Sequence, residues 1–160
     1  SFSKAWSMTG WRLGWLAGPP ELEPIFAQLT EYNISCSAGF IQEAGQAMIE
    51  HGEGEVRQLQ TRLKESYQLT KARLQAIAEV DFIDPDGAFY SFFSIHGMTN
   101  STGFCKALLK TAGVGLAPGL AFGTEAEGYV RLCYAQEPAL LNDAFDRFET
   151  GFKQAIKESH

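Results

Sequence analysis

Ser1-Phe2-Ser3-Lys4-Ala5-Trp6-Ser7-Met8-Thr9-Gly10-Trp11-Arg12-Leu13-Gly14 opens the chain with a lysine among small and hydroxyl residues and, eight positions later, an arginine set between glycines. A primary amine on a long stem can form a Schiff base with an aldehyde, while a guanidinium and a hydroxyl nearby can hold a phosphate through charge-assisted hydrogen bonds. The competing reading of the same residues is a solvated Lys4 beside a frayed end and an Arg12 on the surface of a strand. The stretch starts at Ser1 without Met and without a leader pattern, so the chain is read as the C-terminal part of something longer.

Outward from this stretch, Trp11–Ala17 is expected to be a short buried strand stopped by Gly18-Pro19-Pro20. Leu22, Ile25, Phe26 and Leu29 recur at helical spacing after the prolines, and Phe40–Ile49 forms a second helical stretch. From about 55 to 79, Val56, Leu59, Leu63, Tyr67, Leu74 and Ile77 recur at intervals of three, four or seven, which predicts one long amphipathic helix of roughly 37 Å. Asp84-Pro85-Asp86-Gly87 is a turn, and Ala88–Ile95, Val114–Ala117 and Tyr129–Tyr134 are predicted strands. Phe104–Leu109 reads as helix. Leu141, Phe145, Phe148, Phe152 and Ile156 line one face of a terminal helix opened by Pro138. Strands separated by helices indicate an α/β layered fold.

Composition narrows the function classes. The 160 residues are 45% hydrophobic and 20% charged, a globular balance, and charged residues interrupt every apolar run well before a membrane span. Lys and Arg number 13 against 19 Asp and Glu, a net charge of −6, and no basic cluster is left to track a phosphate backbone. Nucleic acid and membrane are therefore excluded as expected partners. Cys36, Cys105 and Cys133 are odd in number and widely spaced, which indicates neither a disulfide framework nor a metal site and favours a reducing cytoplasm. His51 and His96 have no partners at ligand spacing. Trp6, Trp11 and Trp15 are read as packing residues.

Aldehyde plus phosphate describes pyridoxal 5′-phosphate. Over its whole length, Ser1–Gly14 resembles the lysine attachment motif of the class I and II aminotransferases, the aspartate aminotransferase superfamily of fold type I pyridoxal-phosphate enzymes. Position by position, the resemblance implies that Lys4 is the catalytic lysine that forms the Schiff base and that Ser1 and Arg12 bind the cofactor phosphate. Farther along, Gly128-Tyr129-Val130-Arg131-Leu132-Cys133-Tyr134 places an arginine in the middle of an apolar strand. Burying it calls for an anion, either an internal Asp or Glu or a substrate carboxylate. The segment is similar to the family's substrate-carboxylate strand, preceded there too by a loop like Pro118-Gly119-Leu120-Ala121-Phe122-Gly123, so the resemblance makes Arg131 the carboxylate anchor. Pro85-Asp86-Gly87-Ala88-Phe89-Tyr90 is similar to the family's turn into its small-domain sheet and is assigned a structural role.

The resemblance implies an α/β fold comprising the C-terminal part of the type I architecture. Residues 1–65 would be the tail of the large cofactor-binding domain and residues 66–160 the small domain, with the helix at about 55–79 crossing the boundary. It further implies transamination between an amino acid and a 2-oxo acid in a homodimer when the protein is complete, and an inactive fragment when this chain is alone. The family's partner for the pyridine nitrogen, its ring-stacking aromatic residue and its Asn and Tyr on the phenolic oxygen normally lie upstream of the lysine. Between Asn33 and Glu50 there is no Lys or Arg, which weakens the case for aspartate or glutamate as the variable substrate. The alternatives are β-lyase or cyclopropane-forming synthase chemistry on the same scaffold, or a non-catalytic packing or dimerisation module.

Overall fold

The computed structural model describes residues 1–159 and divides into two compact units, Ser1–Gln60 and a second that begins at Thr61. The first unit is helical. It contains α1 (Phe2–Ala5), a 3-10 turn at Thr9–Trp11, a second at Pro20–Leu22, α2 (Glu23–Ile34), α3 (Gly39–His51) and the beginning of α4 (Glu53–Gln75). Pro20 and Pro24 occupy first-turn positions, where a missing N–H costs nothing. Only Gly52 separates α3 from α4. A Cβ there would stand 2.5 Å from the Met48 carbonyl oxygen and 2.8 Å from Trp6 Cδ1, so a side chain would force the two helices and the Trp6 ring apart.

The run Trp11–Ala17 is not the strand its apolar composition predicts. Thr9–Trp11 coils into the 3-10 turn and residues 12–19 are irregular, leaving Trp15 60% and Leu16 68% exposed. A strand needs a neighbouring backbone to take up its N–H and C=O groups, and among the described residues 1–60 there is no strand to provide one. Trp15 instead makes an edge contact with Phe2, with ring centroids 5.0 Å apart, and Trp6 packs on Phe2 at 4.9 Å.

The second unit is a four-stranded sheet with helices on one face. The strands are β1 (Val80–Asp81), β2 (Tyr90–Ile95), β3 (Ala117–Pro118) and β4 (Tyr129–Cys133), in the order β1-β2-β4-β3 with every pairing antiparallel. Phe93 and Ile95 of β2 and Val130 and Leu132 of β4 point to the buried face. There they meet α5 (Ser101–Ala112), α6 (Pro138–Glu158) and Leu74 of α4 in one core. Phe93, Phe104, Phe145 and Phe148 are at most 1% exposed, and burial of each such side chain contributes about 1.5–3 kcal/mol. Gly151 lets α6 lie close on α5, since a Cβ at that position would be 2.7 Å from the Ala112 Cβ. Arg73 ties α4 to α6 through Asp146 at 2.7 Å and Glu149 at 2.8 Å. The predicted strand at Val114–Ala117 is reduced to Ala117–Pro118, and β1 is a strand that periodicity did not indicate. Among the described residues no helix is long and apolar enough to cross a membrane.

Candidate functional site

Residues 1–14 fold into a closed loop. Ser1 caps α1, its Oγ accepting the Ser3 N–H at 3.2 Å, and Lys4 lies in the last turn of that short helix with an exposed side chain. The chain then reverses, and the Phe2 N–H donates to the Leu13 carbonyl at 3.2 Å. This closure brings Gly14 against Ser1, where a Cβ would make ordinary contact with Ser1 Cα at 3.7 Å. Phe2 and Met8 are each 5% exposed and anchor the loop from beneath. Gly45 of α3 gives it room to dock, because a Cβ there would come within 2.4 Å of Leu13 Cδ2 and 3.2 Å of Phe2 Cζ.

Two non-glycine residues of the loop have left-handed backbones, Ser7 at φ +55° and Arg12 at φ +52°. Such a conformation costs about 1–2 kcal/mol for a residue with a Cβ, so the loop holds Arg12 in place against its own preference. The guanidinium donates to the Thr9 carbonyl at 3.0 Å through Nη1, leaving further in-plane donors on an exposed side chain. Ser1, Lys4 and Arg12 are thus a hydroxyl, an amine and a guanidinium carried by one closed loop. This donor set suits a ligand bearing both an aldehyde and a phosphate.

Arg131 belongs to the second unit. It sits in the middle of β4, paired with Phe92 of β2 on one side and Ala117 of β3 on the other. Alternation along the strands puts it on the face away from the core, with Tyr90, Phe92 and Tyr129. Its Cζ lies over the Tyr90 ring and over the Phe122 ring, 4.5 Å from each centroid. Among the described residues, no carboxylate pairs with it. Of the two anions that could justify a half-buried arginine here, an internal Asp or Glu is not found among the described residues.

Phe122 comes from a 3-10 turn, Gly119–Phe122, whose loop is fastened at several points. The Ser101 Oγ accepts the Leu120 N–H at 3.3 Å. The Glu127 carboxylate accepts the N–H of Ser101 at 2.6 Å and of Gly128 at 3.1 Å, and these bonds, that of Ser101 above all, hold its carboxyl below the usual glutamate range. Gly119 is fully enclosed: a Cβ would be 2.0 Å from the Ala126 carbonyl oxygen and 2.6 Å from that of Tyr129.

Tyr90 and Phe122 are the site residues that sequence reasoning missed. The Pro85–Tyr90 segment, assigned a structural role, ends in a ring that touches the candidate anchor. The available signal was the alternation in Ala88–Ile95, which sets Tyr90 and Phe92 on one face. The segment also has a second fastening. Asp84 accepts hydrogen bonds from Tyr67 Oη and from Lys71 Nζ, the latter at 2.7 Å, while Tyr134 Oη donates to the Ala88 carbonyl at 3.1 Å. His51 and His96 are exposed, as are Cys36 and Cys133.

Comparison with known proteins gives a consistent picture. The profile of the family described as aminotransferase class I and II matches residues 1–148. The chain is 38% identical over 149 residues to a probable N-acetyl-LL-diaminopimelate aminotransferase of Bacillus subtilis, covering 92% of the chain and 37% of that protein. It is 36% identical to an aspartate aminotransferase of Pyrococcus horikoshii, over 93% of the chain and 39% of the relative. Among solved structures, an aromatic aminotransferase from Pyrococcus horikoshii OT3 superposes with a TM-score of 0.89 at 35% identity, over 96% of the chain and 42% of that structure. The chain therefore spans about two fifths of the length of these relatives. Its α/β architecture is that of part of their fold.

Proposed function

The chain belongs to the class I and II aminotransferases, and from that premise we propose that it is the C-terminal portion of an enzyme that moves an amino group between an amino acid and a 2-oxo acid. The observation that carries the reading is the closed loop of residues 1–14, which joins Ser1, Lys4 and Arg12 in one small structure. Lys4 Nζ would be the point of covalent attachment for pyridoxal 5′-phosphate, and Ser1 Oγ and the Arg12 guanidinium would bind its phosphate. When bound, the cofactor supplies a sink for the electron pair left as the substrate loses its α-proton. Lys4 Nζ, when its amine is free, would be the base that takes the substrate α-proton and returns it to a different carbon. Arg131 grips the α-carboxylate through its planar fork and orients the C–H bond to be broken.

The relatives named above are all aminotransferases, which favours transfer over elimination or cyclisation on the same scaffold. The reading extends to a cytoplasmic homodimer. Three free cysteines, two of them exposed, support a reducing compartment, and exposed apolar residues of α2 such as Ile25, Leu29 and Tyr32 suit coverage by further protein. The test is borohydride reduction of the complete enzyme with pyridoxal phosphate, followed by peptide mapping. The label is expected on Lys4 alone and lost in Lys4→Ala; a label spread over several lysines, or retained in the variant, refutes the assignment.

A further inference from the structure

The surroundings of Arg131 are unusual for an arginine at the centre of a sheet. Two aromatic rings approach its guanidinium carbon at 4.5 Å, and no described carboxylate meets its edge. A guanidinium is flat and weakly hydrated on its faces, so rings can cover the faces without competing for the N–H groups, which all lie in the plane. The rings are themselves braced. Phe122 meets Phe92 edge-on at 5.7 Å, Phe92 stacks on Tyr129 at 5.1 Å, and Tyr90 packs on Phe89 at 4.6 Å. The loop that carries Phe122 is held by Ser101 and Glu127, and the turn before Tyr90 by Tyr134.

We infer that Tyr90 and Phe122 are positioning residues for substrate recognition: they hold the Arg131 guanidinium flat between them so that only its edge is offered, which selects a planar carboxylate over a tetrahedral anion. The inference rests on the reading of Arg131 as the carboxylate anchor. A carboxylate lies in the plane of the fork and takes two parallel N–H bonds. A phosphonate places oxygens above and below that plane, where rings lying against the guanidinium faces would meet them.

The experiment uses the complete enzyme and an α-methyl amino acid, a probe that binds but has no α-proton to lose. Tyr90→Leu and Phe122→Leu are each expected to weaken its binding about fivefold, the scale of one partly desolvated cation–π contact. Preference for the carboxylate over the matching α-aminophosphonate should fall by a similar factor, and with turned-over substrates the loss should appear more strongly in KM than in kcat. Tyr90→Phe and Phe122→Tyr, which keep the rings, should restore both properties, and binding of a primary amine without a carboxylate should be unchanged throughout. A second readout needs no cofactor: in the complete enzyme stripped of it, ring currents should displace the Arg131 Hδ and Hε resonances upfield, and each leucine substitution should move them back. If Arg131→Ala leaves carboxylate binding intact, the anchor reading itself falls. If Arg131→Ala abolishes it while both leucine variants bind as the parent does, the anchor stands and the clamp is overturned. Should the leucine variants not fold, the resonances of the parent decide, and ordinary shifts there overturn the clamp.

Discussion

Replacing Gly119 by Ala adds a single methyl group at the tightest point of the loop that carries Phe122. Its Cβ would stand 2.0 Å from the Ala126 carbonyl oxygen, 2.6 Å from the Tyr129 carbonyl oxygen and 3.0 Å from the Tyr129 carbonyl carbon. The clashing atoms are backbone, so no rotamer change relieves them, and the loop must retreat by about 1.5 Å to reach ordinary contact. That retreat strains the 3.3 Å bond from Leu120 N–H to Ser101 and the pairing of Pro118 with Val130. Overpacking of this kind costs about 1–3 kcal/mol and one weakened hydrogen bond about 1 more, so a loss of about 2–4 kcal/mol is expected in the second unit. Gly87→Ala is the control, because no atom stands within 4 Å of its Cβ position and its φ is not positive; it should fall within about 0.5 kcal/mol of the parent. All three tryptophans lie at residues 6–15, so their fluorescence reports the first unit, and peptide-level hydrogen exchange of β3, β4 and α5 reports the second. Exchange in those peptides unchanged by Gly119→Ala, or changed equally by Gly87→Ala, would refute the reasoning.

Arg131→Lys should impair turnover although it keeps the charge, because an ammonium cannot reproduce the flat fork that lies over Tyr90 and Phe122; Arg131→Ala should cost about 2–5 kcal/mol of transition-state binding, read from kcat/KM with and without an α-carboxylate on the substrate. The Asp84 carboxyl is held below the usual aspartate range, first by Lys71 and then by Tyr67, while Lys71 is raised by Asp84. The folded state therefore binds the Asp84 proton less readily than the unfolded chain, so the contribution of the Asp84–Lys71–Tyr67 contact is complete above about pH 4 and is lost as the pH falls through the depressed folded value. Urea midpoints of the parent and of Asp84→Asn should differ at neutral pH and converge in acid; a constant gap across that range would show that the Asp84–Lys71 contact does not act through charge. In the first unit, Trp15, Leu16, Ile25, Leu29, Tyr32, Ile34 and Phe40 are all more than half exposed, so the chain alone should scatter light as an associated species, and a monodisperse monomer that binds pyridoxal phosphate and turns over would contradict this.

Much of the second unit could be read from spacing alone, because helical stripes and alternation are local properties. The terminal helix is the plainest case: Leu141, Phe145, Phe148 and Phe152 all bury on the face their spacing defines. Spacing marks only the middle of helix α5, Phe104–Leu109 of Ser101–Ala112. Its start is marked by Asn100, whose side chain accepts the Gly103 N–H at 2.8 Å, and its end by Gly113 at φ +65°, both recognisable capping residues. Strands were harder, since a strand is defined by its partner. Trp11–Ala17 has strand composition and no partner backbone, whereas Val80–Asp81 is strand only because Ile95 and Ser94 lie opposite. The same limit governs the site. The proposed roles of Lys4, Ser1, Arg12 and Arg131 came from the resemblance of two short segments to one family. Tyr90 and Phe122 could not be tied to Arg131 without the β2–β4 register and the course of a loop thirty residues away from Tyr90.

The two edges of the sheet carry a consequence for handling the molecule. Each outer strand is only two residues long, one including the charged Asp81 and the other ending in Pro118, which has no N–H to donate. Short, charged or proline-bearing edges are poor templates for a further strand from another chain. Association of this polypeptide would therefore run through side chains of its helical first sixty residues and not through backbone hydrogen bonding of the sheet. Clusters of that kind are expected to keep their far-ultraviolet spectrum and to bind no amyloid dye, and to disperse in mild detergent without refolding.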